Sequence, residues 1–102
     1  MKKACVYFNG RPAGSLTQEE EHYIFEYLTE YKGPSISRSM PRDKKRFEFH
    51  DFPPFFDGLL LEGVNLEAFL KKTKIDRHDY FAQLLAVGQD LVGAVTVGEW
   101  RE

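Results

Sequence analysis

The chain has 102 residues, 15% aromatic and 29% charged, with 14 Lys plus Arg against 16 Asp plus Glu and a net charge of −2. That length suits a single domain over residues 1–102, and nine Phe among well-mixed charges favour a real core over disorder. The near-neutral balance excludes bulk electrostatic recruitment by nucleic acid or an anionic membrane, and a lone cysteine, Cys5, excludes an internal disulfide and a cysteine-built zinc site.

A reducing compartment suits one free thiol. The apolar run after Met1-Lys2-Lys3 is too short for a signal peptide and stops at Asn9-Gly10. No window approaches the ~18 apolar residues of a membrane span. The expectation is a soluble, cytoplasmic domain.

In chain order, Lys3 to Phe8 alternates, with Ala4, Val6 and Phe8 on one face and Cys5 and Tyr7 on the other. Asn9-Gly10 directly after such a run predicts a hairpin. The return strand, Arg11 to Leu16, contains Pro12 and Gly14, which predicts an edge position or a bulge. Residues 17–21 read as a polar, acidic connection, and His22 to Leu28 as a third strand. Lys32-Gly33-Pro34 is a turn, Ser35 to Met40 a short extended piece, and residues 42–46 a charged loop. Phe47-Glu48-Phe49-His50 then leads into a central apolar helix. Pro54 suits that helix's first turn, and Gly63 suits the left-handed position just past its end. Asn65 is placed to cap a helix over Leu66 to Thr73, with Leu66, Phe69 and Leu70 on one stripe and Lys71 and Lys72 near the C-terminal end. Asp76 is placed to cap Arg77 to Val87, with Phe81, Leu84 and Leu85 at core spacing and Gly88 as the stop. Val92 to Val97 is a last strand that returns to the N-terminal sheet. The expected class is α+β: a small, mainly antiparallel sheet packed with a central and a C-terminal helical segment.

Catalytic constellations are scarce. His22, His50 and His78 are far apart and lack a ligand partner at helical spacing, so no metal and no cofactor is expected. Cys5 sits in a strand, as a buried and inert thiol would. Asp57 and Glu62, five apart, are not neighbours on a helix and do not form an acid–base pair. No glycine-rich phosphate loop occurs. Arg38, Arg42, Lys44, Lys45 and Arg46 form the one basic cluster, with Phe47 and Phe49 beside it. It reads as a solvated loop, with contact to nucleic acid or to an acidic protein surface as alternatives. A chain poor in catalytic groups and rich in apolar segments reads as a binding module rather than an enzyme.

Three stretches resemble the N-terminal subdomain of HipA-type serine/threonine kinase toxins. They are Val6-Tyr7-Phe8-Asn9-Gly10-Arg11-Pro12-Ala13-Gly14-Ser15-Leu16, then Phe55-Phe56-Asp57-Gly58-Leu59-Leu60-Leu61-Glu62-Gly63, then Gly88-Gln89-Asp90-Leu91-Val92-Gly93-Ala94-Val95-Thr96-Val97. They occur in family order and cover nearly the whole chain. In such toxins a kinase follows these motifs, whereas here the sequence stops soon after the last one, as in the HipS-type antitoxins of tripartite HipBST systems. The resemblance implies a protein that binds and neutralises a HipT-like kinase by docking as its missing N-terminal subdomain, with a HipB-like DNA-binding protein in a ternary complex. It implies kinase contact through Phe55, Phe56, Asp57, Leu61, Glu62, Gly63, Val64 and Asn65. A structural or activating subunit of a split kinase is the alternative. Leu61 stands where the family usually has Pro, and Val64 stands where some relatives carry a Trp.

Overall fold

Asn9 (φ 50°) and Gly10 (φ 81°) both take left-handed backbone, as the tight I′ hairpin connection requires. They join β1 (Lys2–Phe8) to β2 (Arg11–Glu19) in the computed structural model, which describes residues 2–91 and 93–101. β3 (His22–Tyr27), β4 (Arg46–Phe49) and β5 (Val95–Glu99) complete a five-stranded sheet of order β4-β3-β2-β1-β5, antiparallel throughout. The expected return of the last strand to the N-terminal sheet is thus met by β5 on β1. β5 is displaced toward the C-terminus of the expected strand, whose first residue, Val92, lies outside the described residues.

Several local expectations are corrected. β2 runs on through Glu19, because Thr17 and Gln18 pair with β1 on one side and β3 on the other, leaving only Glu20-Glu21 as the turn. β2 is also central rather than at an edge. Its Pro12 is accommodated by a bulge, with the register stepping from Val6↔Gly14 to Tyr7↔Pro12 and Ala13 left over. The carbonyl of Ala13 accepts instead from the Leu28 N–H at 2.9 Å. Phe47 to Phe49, expected to lead into a helix, belong to the outer strand β4. Residues 35–40 are not extended but fold into a tight turn closed by a Ser37–Met40 bridge.

The core lies on one face of this sheet. Ala4, Leu16, Phe25 and Phe47 are cross-strand partners in a single row, and all four are buried. Phe25 is its hub, with ring centroids 4.9 Å from Tyr27, 5.9 Å from Phe56 and 6.5 Å from Phe47. The opposite face carries the row Cys5–Ser15–Glu26–Arg46. Burial pushes the Cys5 thiol up from its ordinary range, which suppresses the reactive thiolate.

Among the described residues, two of the three helices, through Phe56, Phe81 and Leu84, fill in over the core face. α1 (Pro54–Asp57) is a single turn, shorter than the central helix expected, and α2 (Gly63–Thr73) follows. Gly63, at φ +58°, does take the left-handed backbone expected, yet it opens α2 rather than closing the helix before it. The N-cap of α2 is Glu62, and Asn65 sits inside the first turn. α3 (Tyr80–Val87) begins later than the spacing suggests, capped by Asp79, whose carboxylate accepts from the Ala82 N–H at 3.1 Å. Asp76 instead stabilises the preceding turn, accepting from the His78 N–H at 2.7 Å. Phe81 and Leu84 are buried as expected, with Leu85 packed at the core margin. Gly88 ends α3 and starts a 3-10 turn, Gly88–Asp90, that lies directly against Val97 of β5.

Tyr27 ties the irregular segment to the sheet. Its hydroxyl donates to the Met40 carbonyl at 2.5 Å and accepts from the Ile36 N–H at 3.0 Å, both in the interior. Tyr27→Phe leaves two buried backbone groups unpaired, so a loss of about 2 kcal/mol is expected, read as a lower urea midpoint. An unchanged midpoint would show that the segment is not held this way.

Candidate functional site

The stretch from Phe55 to Asn65 divides into an anchor and an outward surface. Phe56 is fully buried in the core cluster and fixes α1 to the sheet. It therefore offers a partner nothing to touch, which removes it from the expected contact set. Phe55 is half-buried, edge-on to Phe56 at 5.1 Å. After α1 the chain continues in turns, with the Leu59 N–H donating to Phe56 O at 3.0 Å and the Leu60 N–H to Asp57 O at 3.2 Å.

Asp57, Leu61 and Glu62 come together on one cleft of about 280 Å³, whose far wall is Leu66, His78 and Tyr80. Gly63, Val64 and Asn65 follow as the exposed entry to α2. Val64 is 83% exposed, the one large apolar side chain so exposed among the described residues. α2 itself has no buried residue, although Leu66, Phe69 and Leu70 form a half-buried stripe. An amphipathic helix gains stability by burying its stripe, and α2 does not do so against its own sheet. Its bond to the next loop is polar: Arg77 donates to both carboxylate oxygens of Glu67 at 2.7 Å. That guanidinium holds the Glu67 carboxyl below its usual range.

The basic cluster does not converge. The Arg42 guanidinium donates to the Gly33 carbonyl at 2.6 Å and sits 5.1 Å from the Tyr31 ring, so it braces its own loop. Lys45 donates to Thr29 Oγ1 at 2.7 Å, Arg46 pairs with Glu48 at 3.3 Å, and Lys44 lies over Phe47 at 5.3 Å. Arg38 is exposed on the 35–40 turn.

A second groove, of about 480 Å³, lies between the β2–β3 turn and α1. Tyr23, Phe52 and Tyr80 line it together with Glu20, Glu21, His50, Asp51 and Asp57. The sequence hides this groove, because its members come from four separate segments. The only local sign is the acidic run at 19–21, which reads as solvated. Among the described residues no three His, Cys, Asp or Glu side chains converge as a metal ion would require, and no helix is long and apolar enough to cross a membrane.

The family model described as the HipA N-terminal domain matches residues 4–98. An uncharacterized protein of Haemophilus influenzae is 29% identical over 102 residues, covering 100% of this chain and 96% of that protein. Among solved structures, the N-terminal domain of HipA toxin superposes with a TM-score of 0.79 at 24% identity, covering 100% of this chain and 95% of the other. That likeness bears out the α+β fold with its small antiparallel sheet.

Proposed function

The chain belongs to the HipA N-terminal domain family, and from that premise we propose that it is a HipS-type antitoxin that docks on a HipT-like serine/threonine kinase toxin and neutralises it. It acts by binding rather than by catalysis, and a HipB-like DNA-binding protein is the third member of the complex. The observation that carries this reading is α2: an amphipathic helix with no buried residue, entered through the exposed Glu62-to-Asn65 segment. Such a surface is stabilised when a partner covers it.

Asp57, Leu61, Glu62, Gly63, Val64 and Asn65 form the contact set, with Phe55 at its margin and Phe56 as the internal anchor. Val64, 83% exposed, contributes apolar area at the centre of the set, directly after the left-handed Gly63 that opens α2. Kinase chemistry depends on the joint placement of a phosphate-covering loop, a lysine–glutamate pair and metal-holding acids. A rigid body wedged beside those parts holds them out of register, and no bulky ring at Val64 is needed for that.

The test combines affinity and activity. Val64→Glu is expected to weaken binding to a HipT-like kinase at least ~30-fold, as loss of a central interface contact does, while leaving thermal stability unchanged, since Val64 is 83% exposed. Co-expression of the unaltered chain is expected to restore growth to cells making the kinase. Continued toxicity despite a formed complex, or a rise in kinase activity, rejects neutralisation in favour of an activating subunit.

A further inference from the structure

The groove between the β2–β3 turn and α1 has the chemistry of a receptor for positive charge. Its floor is aromatic: Tyr23 and Phe52 meet edge-on at 5.2 Å, and Phe52 and Tyr80 lie 5.7 Å apart. Tyr23 and Tyr80 are half-buried there. Its rim carries Glu20, Glu21, Asp51 and Asp57, all exposed. Of the neighbouring basic side chains, Lys2 is 3.7 Å from Asp79 and His22 is 3.6 Å from Glu19, while His50 stands exposed in the groove lining beside Asp51. Among the described residues the four rim carboxylates form no ion pair. Like charges gathered around an apolar floor repel one another, and a guanidinium or ammonium group answers both parts at once. Its charge meets the carboxylates, and its flat or methylene surface rests on the rings. Burial raises the Tyr23 phenol, with smaller contributions in the same direction from Asp79, Tyr80 and Asp51.

We propose that this groove receives an arginine- or lysine-bearing segment of the kinase partner, a claim that rests on the docking reading above for the partner's identity. Continuity supports the assignment: Asp57 and Tyr80 line both this groove and the cleft under Leu61. A partner seated on the entry to α2 therefore lies along the groove as well.

The test has two arms. In the first, the isotope-labelled chain is titrated at low ionic strength with a capped peptide carrying two arginines and, separately, with its glutamate counterpart. The arginine peptide is expected to shift the amides of Tyr23, Asp51, Asp57 and Tyr80, and the triple variant Glu20→Gln, Glu21→Gln, Asp51→Asn, which leaves the kinase contact set untouched, is expected to abolish those shifts. Shifts spread equally over remote acids such as Glu30 and Glu99, or surviving in the triple variant, overturn the groove. In the second arm, the triple variant is expected to bind a HipT-like kinase about tenfold more weakly and with a shallower salt dependence. Unaltered kinase affinity in the triple variant, with the Val64→Glu effect intact, overturns the proposal while sparing the docking reading. A kinase that ignores the unaltered chain overturns the docking reading, and the peptide arm then decides the groove alone.

Discussion

Phe56→Ala is expected to destabilise the chain by about 3–5 kcal/mol, the usual cost of deleting a large ring from a closed core. Phe56 has no exposed surface and sits against Phe25, the ring at the centre of the cross-strand row. It is also the only buried residue of α1, a helix of one turn that cannot hold its shape alone. Removing the ring opens a cavity and frees the segment that carries Asp57, Leu61 and Glu62. Domains of this size are typically stable by about 5–15 kcal/mol, so the variant sits near the edge of folding. Urea titration at constant slope measures the loss. Full retained stability with loss of kinase binding would instead make Phe56 a contact residue.

Gly88→Ala is expected to be nearly as damaging, at about 3 kcal/mol, the upper part of the range for overfilling a packed site. A Cβ at Gly88 collides with the carbonyl and side chain of Val97. Val97 is fully buried and paired with Val6 in the sheet, so it cannot step aside. The expected signature is a lower melting temperature with loss of amide protection concentrated in β5. Gly58→Ala is the matched control. Gly58 has ordinary helical backbone, and its added Cβ would find its nearest neighbour at 3.5 Å, so that variant is expected to be neutral or slightly stabilising. Equal effects from the two substitutions would mean that the approach of the 3-10 turn to β5 is not tight.

The contrast between these glycines shows what was legible in the sequence and what was not. Asn9-Gly10 spoke through local backbone preference, and the hairpin is there. Gly63 was read correctly as left-handed, yet the helix it serves is the one after it. Backbone preference fixes a residue's conformation, and tertiary packing decides which element uses it. Pro12 pointed to an edge or a bulge, and packing realised the bulge. A missing N–H forbids regular pairing in a central strand, and the bulge at Ala13 supplies the irregular pairing that allows it. Asp76 and Asp79 are equivalent as capping residues in the sequence. Gln83 helps separate them: its buried side chain donates to the carbonyls of Asp76 and Arg77 at 3.2 and 2.9 Å, holding that turn outside α3. The outward stretch 61–65 was visible through its resemblance to a known motif. The aromatic groove was not, because nothing short of the folded sheet brings Glu21, Asp51 and Tyr80 together.

The isolation of α2 has a consequence for how the molecule comes apart. The eleven residues of α2, fewer than the ~12–15 that an unaided helix needs to persist in water, are held by the half-buried stripe of Leu66, Phe69 and Leu70 and by the Glu67–Arg77 pair, with no fully buried side chain. The chain accordingly has two thresholds of order, a low one for α2 and a high one for the sheet with α1 and α3. Whatever settles on α2 raises that lower threshold together with its own affinity, so its grip reports on the helix's composition as well as on the contacts made.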